Sequence, residues 1–178
     1  MESIILGSGC FWCTEAVFSS LKGINEVIPG YSGGTAVNPS YEEVCTGKTG
    51  HAEVVKVTYD PEAISTENII EIFFRTHDPT TLNRQGADVG TQYRSTIICM
   101  NETQRAAAKE IISEMEREKV YDKPIVTIVE SFRNFYPAEE YHRRYFEKNP
   151  NQGYCRVVIA PKMEKFRKIY SEHLKSAR

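Results

Sequence analysis

Five cysteines, Cys10, Cys13, Cys45, Cys99 and Cys155, carry most of the chemical potential of this 178-residue chain. Their number is odd, and the first two are spaced Cys-x-x-Cys. An odd count behind an N-terminus that does not read as a signal peptide argues against a structural disulfide framework. In a reducing compartment such a close pair points to metal binding or redox catalysis. Cys10 follows the turn Gly7-Ser8-Gly9 and opens a helix-like run. Amides and the macrodipole at a helix start favour a thiolate, the reactive form, so its pKa is expected to fall below the ordinary value of about 8.5. A lone cysteine more often ends as a small buried hydrophobe. The glycine turn, the helix start and the adjoining Phe11-Trp12 pair weigh against that here. Trp12 is the chain's one tryptophan. An aromatic pair beside a nucleophile can hold a small apolar group.

The elements that must position Cys10 follow from periodicity and turn residues. Ser3 to Leu6 reads as a strand, and the run after Cys10 as a helix to about Leu21, burying Ala16, Val17, Phe18 and Leu21. Ile24 to Tyr31 is a second strand, closed by Ser32-Gly33-Gly34. The stretch 35–50 reads mostly as loop. Glu53 to Tyr59 alternates, with Val55, Val57 and Tyr59 on one face. Ser65 suits the N-cap of a helix carrying Ile69, Ile72 and Phe73. Residues 78–92 read as loop and 94–100 as strand. Asn101 with Gln104 resembles a capping box before a helix to about Lys119. A strand over 125–130, a short segment around Tyr141-His142, a short strand over 155–160 and an amphipathic helix over 163–174 complete the pattern. Mixed strands and helices, without repeat, low-complexity run or linker, imply one α/β or α+β domain. The long connections at 32–50 and 78–92 are where function is expected.

Hydrophobic residues make up 40% of the chain and charged residues 26%, with a formal net charge of −2. These are globular values and give no electrostatic case for nucleic acid or an anionic membrane. No apolar stretch approaches the roughly 20 residues of a membrane span. The N-terminus lacks the basic region of a signal peptide, so a cytoplasmic location is expected. No dinucleotide fingerprint or phosphate loop is present, and no cofactor or metal is expected.

The run Gly9-Cys10-Phe11-Trp12 resembles the signature of the peptide methionine sulfoxide reductase A family. Gly30-Tyr31-Ser32-Gly33-Gly34, Tyr41-Glu42-Glu43-Val44-Cys45, Gly50-His51-Ala52-Glu53, Asp88-Val89-Gly90-Thr91-Gln92-Tyr93-Arg94-Ser95 and Glu140-Tyr141-His142 are similar to further segments of that family, in the family's order. The resemblance spans about residues 3 to 160. It implies an α+β two-layer sandwich, a mixed sheet with helices packed on a ferredoxin-like core, as a single domain over 1–178.

It also implies reduction of methionine S-sulfoxide, free or in proteins. Cys10 would attack the sulfoxide sulfur, Glu53 would be the acid, and Tyr41 and Tyr93 would hydrogen-bond the oxygen. Phe11 and Trp12 would hold the methyl group, with Asp88 and His142 in supporting roles. The resulting sulfenic acid on Cys10 needs a second thiol. Cys13 and Cys155 are both candidates, and Cys155 is slightly preferred, because a bond to Cys13 would strain the turn holding Phe11 and Trp12. Many relatives have glycine at position 13. Cys45 and Cys99 are expected to be inert. The expected reductant is thioredoxin, and the expected state a monomer. Two other readings compete: a thioredoxin-like disulfide oxidoreductase using Cys10 and Cys13, and a zinc module. Structural zinc wants a second close ligand pair, and His51 and His77 are isolated.

Overall fold

The computed structural model describes residues 1–176, so the last two residues of the domain expected over 1–178 lie outside the described residues. Its centre is the path β1 (Glu2–Ser8), α1 (Phe11–Ser19), β2 (Ile24–Ser32), β3 (Ala52–Tyr59), α3 (Thr66–Arg75) and β6 (Ser95–Cys99). These four strands lie in the antiparallel order β6-β1-β3-β2. This is the split βαβ arrangement of ferredoxin-like folds. β7 (Ile128–Ser131) adds a parallel strand beside β6, and β8 (Tyr136–Pro137) pairs with β2, so the sheet is mixed.

The strands alternate as a sheet covered on one face by helices requires. Ile4 and Leu6 of β1, Val55, Val57 and Tyr59 of β3, and Ile97 and Cys99 of β6 join the main core under the helices. Ile5, Ala52, Val54 and Ile98 form a small second cluster on the other face. The helix-covered face is filled by Phe11, Val17 and Phe18 of α1 and by Ile69, Ile72 and Phe73 of α3. Ser65 caps α3 by accepting from the Asn68 amide. α4 (Glu102–Arg117) starts where Asn101 accepts from the Gln104 amide. Gln104 does not close the box on Asn101. It accepts instead from the Met100 amide and donates to the Ser3 carbonyl, tying α4 to β1.

Three local differences from the sequence pattern bear on the site. The 35–50 connection contains a five-residue helix, α2 (Tyr41–Cys45), capped by Ser40. The 78–92 connection folds into a two-stranded hairpin, β4 (Arg84–Gln85) and β5 (Asp88–Val89), followed by a single 3-10 turn at Thr91–Tyr93. Residues 155–160 are not a strand. Cys155–Ile159 is a π-helical turn running directly into α6 (Ala160–Ile169). The apolar run Val157-Val158-Ile159 looks β-like. However, Val157 and Val158 face solvent while Cys155, Ile159, Met163 and Phe166 line one buried helical stripe. Tertiary packing overrides the β-branched propensity there. α5 (Tyr145–Lys148) is a single short turn packed on α1.

Candidate active site

Cys10 is the N-cap of α1, reached through Gly9, whose φ of +99° suits glycine. A side chain at Gly9 would also collide with Gln85 of the β4–β5 hairpin, which closes over this turn. The β1–β3 ladder runs Leu6 opposite Val55, and continuing it brings the end of β1 alongside Glu53. β2 sets Tyr31 opposite Glu53 from the other side. Sheet register and the glycine turn therefore place a thiol and a carboxyl together, although they are 43 positions apart.

Glu53 is 1% exposed. One oxygen, Oε1, accepts from the Phe11 amide at 3.3 Å. The other, Oε2, is buried with no partner. Burial outweighs the Phe11 hydrogen bond and Asp88 adds repulsion, pushing the Glu53 pKa up to about 8. At neutral pH this group holds its proton. A buried polar atom left unpaired costs about 1–3 kcal/mol. Among the described residues, one other buried side-chain polar atom lacks a partner, Nε2 of His142. It belongs to the same cluster.

His142 is 0% exposed and burial lowers its pKa, leaving a neutral imidazole. Its Nδ1 accepts the Trp12 indole N–H at 3.0 Å. Its ring lies 4.9 Å from that of Phe11 and 4.7 Å from that of Tyr41. Trp12 is fixed further by Tyr145, stacked at 3.8 Å and 8°. Phe11, Trp12, His142 and Tyr145 thus form a rigid aromatic notch around the helix start.

Tyr41 and Tyr93 both feel the Glu53 carboxyl, and burial together with Glu53 raises both phenols, so each is a neutral O–H donor. Tyr93 also senses Asp88 and Cys10. Asp88 accepts from the Tyr154 hydroxyl at 2.7 Å, and Tyr154 in turn senses Cys10 and Cys13. The loops are braced around them. Arg94 donates to the carbonyls of Thr91 and Gly50, both at 2.9 Å. Glu139 accepts from Tyr31 Oη and from the Tyr41 amide, both at 2.9 Å.

The ease of ionisation expected for Cys10 is reversed. Burial and the neighbouring Glu53 carboxyl raise its pKa well above the ordinary thiol range; the Trp12 amide opposes them, and Cys13 and Asp88 add to the rise. The helix start contributes what the sequence pattern anticipated, but one amide is outweighed by desolvation and nearby negative charge. At rest Cys10 is a thiol.

The remaining cysteines divide clearly. Cys13 is 6% exposed, one turn along α1, where its own amide donates to the Cys10 carbonyl. Cys155 is 0% exposed, and burial, with Cys13 beside it, raises its thiol above the ordinary range. Cys99 lies in the β6 core, apart from the site. Cys45 is exposed, and its thiol lies within hydrogen-bonding reach of the Tyr41 hydroxyl, so it stands at the rim of the site. Neither isolated histidine is free to bind a metal. His51 accepts from the Gly34 amide at 3.0 Å and donates to the Ala36 carbonyl at 2.7 Å. His77 uses both ring nitrogens on the Phe73 carbonyl and Ser95 Oγ.

The structure therefore brings together Cys10, Phe11, Trp12, Tyr41, Glu53, Asp88, Tyr93 and His142, with Cys13 beneath them and Cys155 behind Cys13. Sequence reasoning missed Tyr145, Glu139 and the role of Tyr154. Nothing in His142-Arg143-Arg144-Tyr145 marks a stacking partner for a residue 133 positions away. Tyr154 at least lies beside a cysteine already singled out.

A family model described as peptide methionine sulfoxide reductase matches residues 2–174. A curated relative from Picrophilus torridus, peptide methionine sulfoxide reductase MsrA, is 60% identical over 171 residues, covering 96% of each chain. Among solved structures, reduced Mxr1 from Saccharomyces cerevisiae superimposes with a TM-score of 0.81 at 38% identity, covering 86% of this chain and 88% of that one. Mxr1 in complex with Trx2 aligns with a TM-score of 0.58 at 29% identity, over 81% and 84% of the two chains.

Proposed function

Because the chain belongs to the peptide methionine sulfoxide reductase family, we propose that its reduction of methionine sulfoxide is carried by Cys10 as nucleophile and Glu53 as acid. The observation that carries this assignment is the buried Glu53 carboxyl, protonated at neutral pH, with one oxygen unpaired beside Cys10. A sulfoxide is a strong hydrogen-bond acceptor on a small apolar body. Its oxygen satisfies Glu53, Tyr41 and Tyr93, and its methyl group fills the notch of Phe11 and Trp12. His142 and Asp88 support the notch, through the Trp12 indole and the Tyr154 hydroxyl respectively.

Glu53 gives its proton to the oxygen, which makes the sulfur electrophilic and relieves the charge that opposes bond formation. The Cys10 sulfur attacks as its own proton passes to the Glu53 carboxylate. The hydroxyl then passes from the substrate sulfur to the Cys10 sulfur as the substrate S–O bond and the new S–S bond break, so methionine leaves and Cys10 is left as a sulfenic acid. Phenol donors at one oxygen and a notch for one methyl group favour a single epimer, which the family resemblance makes the S form at sulfur. The raised Cys10 pKa fits this order of events, because the thiol is activated by substrate and acid together.

A second thiol then condenses with the sulfenic acid and releases water. Cys13, which shares a helical turn with Cys10 and acts on it electrostatically, replaces Cys155 as the preferred first partner. Cys155, packed behind Cys13, is suited to attack the Cys13 sulfur next, which returns Cys10 as a thiol and leaves a Cys13–Cys155 disulfide. Thioredoxin is the reductant this reading expects, supported by the relative crystallised with Trx2. We place the monomeric enzyme in the cytoplasm, and no helix among the described residues is long and apolar enough to cross a membrane.

Single-turnover release of methionine tests the assignment. The rate should fall as pH rises through about 8, where Glu53 loses its proton. Cys10→Ser should abolish release. A rate that stays level or climbs from pH 7 to 9 would remove Glu53 from the acid's role.

A further inference from the structure

Trp12 and Glu15 stand three positions apart on α1 and so share one face of the helix. Both meet the same short element. The Glu15 carboxyl accepts from the Arg144 amide at 2.8 Å. The Trp12 indole stacks on the ring of the next residue, Tyr145, at 3.8 Å. Three residues before Tyr145, His142 takes the indole N–H. The chain from His142 to Tyr145 therefore bends around the edge and one face of the indole, and Glu15 grips it at the bend.

That bend does not hold itself. Arg144 has a φ of +53°, a left-handed conformation strained for a residue with a side chain and kept only where the surroundings impose it. None of the four residues of α5 is buried, so packing constrains it weakly. A cavity of about 460 Å³, lined by Trp12, Glu15, Phe146 and Met163 among others, opens beside it. Beyond the Glu15 carboxyl, the hydrogen bonds of Arg144 and Tyr145 are local. The Arg144 guanidinium pairs with Glu147, and the two backbone carbonyls accept from the Lys148 and Asn149 amides. These bonds shape the turn without tying it to α1. Glu15 itself is 3% exposed, and burying a carboxyl is costly unless its oxygens are hydrogen-bonded. The amide it meets is the one at the strained residue.

We propose that Glu15 is a positioning residue for the substrate's methyl group: by anchoring the Arg144 amide it fixes Tyr145 against Trp12, and so fixes the wall that tells a methyl sulfoxide from a bulkier one. The inference rests on the reading that Trp12 walls the methyl site. Glu15 takes no part in bond making. An indole held by His142 alone can still swing about that hydrogen bond, and the stack on Tyr145 is its second constraint. Even a well-formed apolar pocket discriminates one methylene by only about 10–200-fold, so a loosened wall gives up a measurable share of that.

The test compares kcat and KM of the full chain on methionine S-sulfoxide and on its S-ethyl homologue, ethionine S-sulfoxide. Glu15→Leu keeps the bulk and removes the acceptor. It should raise KM for the methyl substrate about tenfold with kcat changed less than threefold, and shrink the methyl-over-ethyl preference about tenfold. Glu15→Gln keeps an acceptor oxygen for the Arg144 amide and should restore most of both. Tyr145→Leu cuts the same link one residue on, leaves the Glu15 carboxyl in place, and should lose the preference as Glu15→Leu does. A wild-type preference in either leucine variant overturns the proposal, so the Tyr145 arm decides it if Glu15→Leu does not fold. A loss in Glu15→Gln equal to that in Glu15→Leu also overturns it, because the acceptor oxygen would then be irrelevant. Trp12→Leu separates the premise from the inference. If it keeps the wild-type preference, Trp12 does not wall the methyl site and both readings fall. If it loses the preference while Glu15→Leu keeps it, only the role of Glu15 falls.

Discussion

Two buried glutamates flank α1, and they differ in what their oxygens touch. Glu53, on β3, has one oxygen on the Phe11 amide and one on nothing. Glu15, on α1 itself, is 3% exposed and accepts from the Arg144 amide at 2.8 Å, with the Tyr145 amide also bonded to it. Burial is the largest influence on both and pushes Glu15 to about 7 and Glu53 to about 8. A raised pKa therefore does not separate a reactive carboxyl from a structural one. Satisfaction of its hydrogen bonds does. Glu15 holds the start of α5, where Arg144 takes a left-handed conformation, and so keeps Tyr145 against the Trp12 indole. Glu53 is left partly unsatisfied, which in the proposed mechanism suits it to meet a substrate oxygen.

The contrast is broken or sharpened most strongly by activity. Loss of a general acid costs about 10²–10⁴-fold in rate, so Glu53→Gln should lower single-turnover methionine release by at least about 100-fold and flatten its pH dependence. Glu15→Gln keeps a carbonyl oxygen for the Arg144 amide and should cost about tenfold or less, with the fall near pH 8 retained. Equal losses in the two variants would mean that both carboxyls merely hold structure.

Stability against pH gives the next largest effect. The folded pKa of Glu53 lies above its unfolded value of about 4.3. Between pH 4.3 and 8 the folded chain keeps a proton that the unfolded chain has released, so its stability falls as pH rises through that window. At about 1.4 kcal/mol per unit, the span amounts to several kcal/mol. Glutamine cannot ionise, so Glu53→Gln should gain on the wild type by about 2–5 kcal/mol between pH 4.5 and 8, read by urea denaturation. A gain below about 0.5 kcal/mol would place the folded Glu53 pKa near its ordinary value. The smallest effect belongs to a carboxyl paired in open water. Glu164 lies 3.6 Å from Lys168 on the surface of α6. Glu164→Gln should change stability by no more than about 0.5 kcal/mol at any pH.

The sequence made the scaffold legible where local physics decides. Alternation in β3 put Val55, Val57 and Tyr59 on the core face, and Ser65 and Asn101 marked true helix starts. It misled where the environment decides. Val157 and Val158 read as a strand because β-branched residues cluster there, but burial of Cys155, Ile159, Met163 and Phe166 along one side selects a helix. The Cys10 pKa was misjudged for the same reason. A helix start is visible in sequence, whereas the burial and the carboxyl groups folded against it from β3 and β5 are not. Glu15 stands among Thr14, Ala16 and Val17 with nothing to announce that it is buried, because its partners are backbone amides that any residue supplies.

The indole described above is the chain's one tryptophan, and it is wedged between His142, Tyr145 and Tyr154 within one turn of Cys10 and Cys13. Fluorescence excited at the red edge of protein absorption therefore comes from the proposed catalytic centre alone, undiluted by signal from elsewhere. The enzyme carries its own optical probe, and oxidation or release of its sulfurs can be followed by stopped flow without a label.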